Sequence, residues 1–353
     1  MRLPTFIRKV FLFLIFPVCI LVVIEFLLPL NFFTFRVYEA IKFNNESIPH
    51  IGPFYPNKTL FMKSVGDLCS HTSSEVVKDE LWKTDKLGFR NSFFSKQPEV
   101  VVFGSSFIYG TGLSQEHTFT EQLSRKLHQK VYNFSPYSIN DFEMLVQKDS
   151  LTYPKIIVFS IGDWYVPTTY KEQIKSFENK FVVIIKDLFY NFIGEVVDRC
   201  TRFFSYHWLK SKFIKKGVNY QSSVYPSMFF GKGENYKPID SSELMLVLKN
   251  VLQLEDYCKK RNIKLYYVFT PSKEFVYSDF IPQLSKYDYY SVLANELHKN
   301  GISGVNSLEI FNDYRKKSSK LLYHTDDTHW NKLGVDLITT ELSTKILSTK
   351  HKN

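Results

Sequence analysis

The sequence is short of the residues that build stapled, metal-clipped or low-complexity chains. Its four cysteines, Cys19, Cys69, Cys200 and Cys258, form no C-x-x-C pair and show no metal-type spacing, which excludes a disulfide framework and a zinc ribbon. Glycine and proline, at 14 each in 353 residues, are too few for a collagen-like or repetitive chain. The pattern G-x-x-x-x-G-K-[ST] is absent, so no P-loop phosphate cradle is expected. No Lys/Arg run interleaved with aromatics offers a nucleic-acid groove, and no nucleic-acid partner is expected. There is no internal repeat and no linker of biased composition. Aromatic and apolar residues are abundant instead, with 33 Phe, 22 Tyr and a hydrophobic share of 44%. That content excludes wholesale disorder. The length allows two domains or one large α/β domain with insertions.

The long hydrophobic run is N-terminal. Val10 to Ile24 carries no charge and continues past Glu25 to Leu30, with Arg2, Arg8 and Lys9 in front of it. About 20 apolar residues span a bilayer as a helix. The basic flank predicts a cytoplasmic tail over 1–9, a transmembrane signal anchor over 10–30, and everything from about residue 31 outside the cytoplasm. A cleavable signal peptide is the competing reading, but no small-x-small site follows the run. Glu25 is expected near the far interface, reaching polar headgroups. The formal charge of +10 falls only to +8 without residues 1–30 (three basic residues, one Glu), which suits anionic membrane surfaces or acidic glycopolymers.

Residues 31–97 read as a membrane-proximal segment. From 98 to 347 strands alternate with helices. The buried-strand patterns are Val100–Phe103, Val131–Phe134, Ile156–Phe159, 264–270 and Gly304–Asn306. Helices are expected from Phe119, Leu123 and Leu127, from Phe142, Leu145 and Val146, and over 242–261, 286–299 and 331–347. Such alternation predicts a parallel sheet of about five strands covered on both faces. The interval 165–241 breaks the pattern and reads as an insertion, either a lid or a membrane-proximal layer.

Ligands of open parallel sheets bind beyond the carboxyl ends of the strands. There the first strand runs into Gly104-Ser105-Ser106-Phe107, a turn able to expose a serine hydroxyl and free backbone N–H groups. A Gly-Ser-Ser turn is also an ordinary connection. Just before the last helix, His324-Thr325-Asp326-Asp327-Thr328-His329-Trp330-Asn331 supplies an imidazole and an acid to orient it, the base half of a Ser-His-Asp system. Two His and two Asp also suit a metal, but no ligand from a third element is evident, so no metal is expected.

Together these blocks resemble the SGNH (GDSL-like) hydrolase superfamily, especially bacterial members with an N-terminal membrane anchor, over about residues 85–347. The resemblance implies a three-layer sandwich with a central parallel sheet, in a single-pass protein of the bacterial inner (cytoplasmic) membrane with its catalytic domain facing the periplasm or exterior. It implies Ser106 as nucleophile, His329 as base and Asp327 as the orienting acid, with Asp326 as the alternative acid. The activity implied is that of a serine esterase or O-acyltransferase acting on an acyl-ester or glycan substrate, with no cofactor. The rival is an inactive protein of the same fold that binds glycan or a membrane partner. Segments Thr84–Arg90 and Pro271–Glu274 are similar to less specific parts of these relatives. Ser105 stands where the family has Asp, and Gly162-Asp163-Trp164 where it has Asn. The implied oxyanion and substrate-binding residues are Ser138, Asp163 and Asn133, although a carboxylate at Asp163 would repel a developing oxyanion. Arg90 reads either as an anion ligand or as the partner of an acid. Trp164 and Trp330 read either as a substrate wall or as core, and His117 reads as structural.

Overall fold

The computed structural model describes residues 3–28, 36–44, 51–69, 73–162, 193–199, 201–202, 220–231, 240–281 and 289–350. The first helix, α1 (Leu3–Leu27), contains one segment long and apolar enough to cross a membrane, Pro4–Glu25. Its apolar side chains are largely exposed, Phe13 at 83%, as a helix facing lipid requires. The expected tail and span thus run together as one helix from Leu3. Glu25 departs from expectation. Its side chain is buried at 1% exposure, and its carbonyl accepts Arg199 Nη2 at 2.7 Å, so the helix end packs on protein instead of reaching for headgroups.

A small layer follows. The short helix α2 (Val37–Ile41) packs on an antiparallel hairpin of β1 (Thr59–Ser64) and β2 (Lys78–Lys83). Val37, Ile41, Phe54, Tyr55, Met62 and Trp82 form its core.

The main body is a five-stranded, all-parallel sheet. In chain order its parts are β3 (Val100–Phe103), α3 (Ser106–Tyr109), α4 (Phe119–Leu127), β4 (Val131–Asn133), α5 (Ile139–Gln147) and β5 (Ile156–Gly162). After the little ribbon β6 (Tyr220–Gln221) and β7 (Phe229–Phe230) come α6 (Ser241–Lys259), β8 (Lys264–Thr270) and α7 (Lys273–Val276). The chain then forms α8 (Tyr289–Lys299), β9 (Ser303–Val305), α9 (Ser307–Lys317) and α10 (Lys332–Lys350). The strand order is β4-β3-β5-β8-β9. Fully buried Val100–Phe103 and Ile156–Gly162 are the continuous apolar runs that a sheet covered on both faces demands. Helix α4 is in contact with α10, and α6 with α8, and the right-handed crossovers usual in parallel sheets would set these pairs on opposite faces. The stripe Phe119, Leu123 and Leu127 is the buried face of α4. The order reverses between β3 and β5, and at such a switch point the strand ends leave a crevice.

Most of the 165–241 interval and residues 286–288 lie outside the described residues. The described stretch 220–231 is core material: Met228 and Phe230 are buried, and Phe229 N–H donates to the Thr325 carbonyl at 3.0 Å.

Candidate functional site

Ser106 stands just past β3 at the crevice. Gly104 allows the turn, because a Cβ there would sit 2.4 Å from Ile108 Cγ1 and 2.5 Å from Ser160 Oγ. Ser105 is extended, Ser106 opens α3, and Gly110, at φ +83°, ends it in the left-handed region that favours glycine. Arg90 locks this loop from beneath. Fully buried, its guanidinium lies 3.7 Å over the Trp82 ring and donates to the carbonyls of Tyr109, Gly110, Leu81 and Leu113 and to Gln115 Oε1. Arg90 therefore neither waits for an anion nor hydrogen-bonds an acid. Backbone carbonyls occupy its planar fork.

The loop before α10 comes to meet Ser106. Ser106 Oγ lies 2.8 Å from His329 Nε2, and His329 Nδ1 lies 2.5 Å from Asp327 Oδ1, which also accepts the His329 N–H at 3.0 Å. With the carboxylate fixing the proton on Nδ1, Nε2 accepts the serine hydroxyl. Burial alone would lower the His329 pKa, but the charge and hydrogen bond of Asp327 reverse that and raise it. Burial likewise opposes ionisation of Asp327. The charge and hydrogen bond of His329, with Lys78 and His324, prevail and hold its carboxyl well below the usual range.

Asp326 faces elsewhere. Its carboxylate accepts the N–H groups of Gly66 (2.7 Å) and Val76 (3.1 Å) and pairs with Lys78 Nζ at 2.9 Å, so it ties the N-terminal layer to this loop. Ser138 is the N-cap of α5. Its N–H and hydroxyl both donate to Asp141 Oδ2, in a capping box. The sequence reading put it at the oxyanion, but helix capping engages both of its donors. Asn133, fully buried, accepts Ser135 N–H at 3.0 Å and donates to the Ile108 carbonyl at 3.4 Å, linking the end of β4 to α3. Asp163 and Trp164 lie outside the described residues. Trp330 is core, 1% exposed, with its N–H on the Tyr323 hydroxyl at 2.9 Å. His117 sits beside Glu116 at the entry to α4.

Several residues around the site have no individual role assigned from the sequence. Lys273 is buried and donates to the carbonyls of His324, Thr325 and Asp327 at 2.6, 2.8 and 3.1 Å. Burial pushes its pKa down to about 8, against the pull of Asp327 and Glu274. It belongs to the segment Pro271–Glu274, and that resemblance was its sole clue. Burial, then Lys78, lower the His324 pKa to about 4. That imidazole is thus neutral at physiological pH. Asp67 accepts the N–H and hydroxyl of Thr328 and lies 3.7 Å from Arg36 Nη1. With Asp327 and His329, Asp67 brings three ligand-type atoms within 4.8 Å of one another, supplying the third-element group that the sequence lacked. Cations stand near these acids. Arg36 is at Asp67, and Lys78 and Lys273 act electrostatically on Asp327 and its loop.

Residues 228–353 match a family described as SGNH hydrolase-like domain, acetyltransferase AlgX. That C-terminal third holds Asp327 and His329 but not Ser106. No curated relative matches the chain. Among solved structures, a protein assigned to the lipolytic G-D-S-L family of Desulfitobacterium hafniense DCB-2 is 11% identical. The match covers 71% of this chain and 99% of that one, at a TM-score of 0.37. An SGNH hydrolase-like domain is therefore present in the C-terminal part, while the α/β architecture is read from strand order and register.

Proposed function

We propose that this chain is a membrane-anchored serine esterase or O-acyltransferase of the SGNH type, working on acyl esters at the cell envelope. The observation that carries the reading is the hydrogen-bonded line from Ser106 Oγ through the His329 ring to Asp327. His329 Nε2 takes the hydroxyl proton as Ser106 Oγ attacks the ester carbonyl, and Asp327 stabilises the imidazolium. His329 then returns the proton to the departing alcohol, leaving an acyl-serine. Next it deprotonates water, giving an esterase, or a sugar hydroxyl, giving a transferase. The matched family's description names an acetyltransferase, which supports transfer. The flank of Arg2, Arg8 and Lys9 supports an outward-facing site.

The test is covalent. A serine-reactive phosphonate, added to the detergent-purified full chain, is expected to modify Ser106 by mass spectrometry and to leave Ser106→Ala unmodified. An unmodified wild type that still binds glycan would turn the reading to the inactive binding protein.

A further inference from the structure

A histidine base serves a serine only while its proton is held on Nδ1 and the imidazolium it becomes is compensated. Asp327 Oδ1 does both from 2.5 Å. The same Nδ1 has a second neighbour, Thr328 Oγ1 at 3.3 Å. Thr328 is itself gripped by a carboxylate from the N-terminal layer. Asp67 Oδ1 accepts its N–H at 3.0 Å and Oδ2 its hydroxyl at 2.8 Å. With its hydrogen committed to Asp67, the Thr328 oxygen presents lone pairs to the Nδ1–H. Asp67 is fixed on both sides. The Gly66 N–H donates to Asp326 Oδ2 at 2.7 Å, and the Leu68 N–H to the Asp326 carbonyl at 3.0 Å. Oxygens of Asp67 and Asp327 and a ring nitrogen of His329 lie within 4.8 Å of one another. Two carboxylates therefore flank one imidazole. The second is Asp67, while Asp326, the alternative acid implied by the resemblance, is held by Gly66, Val76 and Lys78.

We propose that Asp67 is a second positioning acid for His329, acting through the Thr328 hydroxyl and through its own charge. The inference rests on the serine mechanism above. The Nδ1–H is shared between Asp327 Oδ1 and Thr328 Oγ1, and no proton leaves the ring on this side. When Nε2 takes the Ser106 proton, the new positive charge lies between two carboxylates instead of one. The charged groups facing the ring are Asp327 from its own loop, Asp67 from the segment after β1, and Arg36 from the start of α2. Lys78 and His324 act on the ring's partner, Asp327. Ser106 and Phe107, on the side of α3, are uncharged. Burial disfavours the imidazolium; Asp327 and then Asp67 favour it, and Arg36 opposes them.

The experiment uses the full-length protein in detergent, with labelled histidine for NMR titration of His329 and p-nitrophenyl acetate as substrate. It compares wild type, Asp67→Asn, Thr328→Val, Asp327→Ala and the double variant Asp67→Asn/Asp327→Ala, with thermal unfolding of each. Asp67→Asn is expected to lower kcat about tenfold, the size of one hydrogen bond to a charged group, with KM little changed. The His329 pKa should fall in Asp67→Asn, and further in the double variant than in either single one. Thr328→Val keeps the N–H bond to Asp67 and removes only the hydroxyl link. It should lower kcat too, and it decides the question if Asp67→Asn fails to fold. An unchanged His329 pKa in Asp67→Asn, even with lowered turnover, would reduce Asp67 to a loop tie and overturn the proposal. Wild-type kcat in Thr328→Val would also overturn it. Both results leave the serine reading standing as long as phosphonate modifies Ser106 in the wild type. A wild type with no reaction at Ser106 would remove that reading, and this inference with it.

Discussion

His329 is held between burial, which favours its neutral form, and Asp327, which favours the cation and wins. A base must be neutral to act, so the acid limb of kcat/KM for an ester should have its midpoint above the ordinary imidazole value of about 6.5. Asp327→Asn removes the charge that raises it. The midpoint should then move down while kcat falls steeply, which a pH–rate profile of the two proteins checks. The same pair affects stability. The raised His329 pKa contributes stability that is complete below about pH 6.5 and is lost as pH rises through the folded value. The lowered Asp327 pKa contributes stability present above about pH 4 and lost as pH falls through the folded value. Both describe one interaction and are not summed. Kinetically, Ser106→Ala and His329→Ala should each abolish most turnover, and the double variant should lose little more, because either change already disables the nucleophile.

At the scale of elements, the loop 324–329 is held by α7 as well as by its own residues. Lys273 gathers three of its carbonyls. Lys273→Met keeps most of the side-chain volume but strands those acceptors, at about 1–3 kcal/mol for a buried group left unsatisfied. The expected outcome is a lower unfolding midpoint in urea together with at least a tenfold loss of kcat. The sequence displays its elements unevenly. β3, β5 and β8 are legible because buried parallel strands are nearly continuous apolar runs, and 264–270 has the same limits in both readings. The helix α9 escapes because Glu309, Asn312, Asp313 and Arg315–Lys317 make 307–317 polar, with Leu308 and Phe311 as its buried apolar residues. The β1–β2 hairpin escapes because its strands are separated by 13 residues without a tight-turn signature. Ser138 shows a different limit. A serine three residues before an acid fits both a helix cap and a binding loop, and the spacing alone does not separate them.

On the scale of the whole molecule, the residues least visible in the sequence are those that join its distant parts. Asp67 meets Thr328 across 261 positions, and Asp326 meets Gly66 across 260. No local pattern records such a meeting, whereas His329 and Asp327 were legible because they share one loop. Asp326→Asn should lower the melting temperature by weakening the Gly66, Val76 and Lys78 contacts, while the midpoint of the pH–rate profile stays where Asp327 sets it. Topology has its own check. The proposed uncleaved anchor should give a membrane-extracted protein whose N-terminus, mapped by mass spectrometry, precedes residue 10. A start beyond Leu30 would remove the anchor.

The ties from Asp326 and Asp67 to the first hundred residues also set an order in time. Synthesis from the N-terminus delivers the layer of Gly66, Asp67 and Lys78 long before the loop that completes it. Ser106 emerges in between and waits for its base. Contacts this far apart form slowly, so on the proposed serine mechanism Ser106 stays without its base until the loop of His329 has been made and docked. On that mechanism a truncated or stalled chain carries the serine without its base, and competence arrives only with the last stretch of the polypeptide.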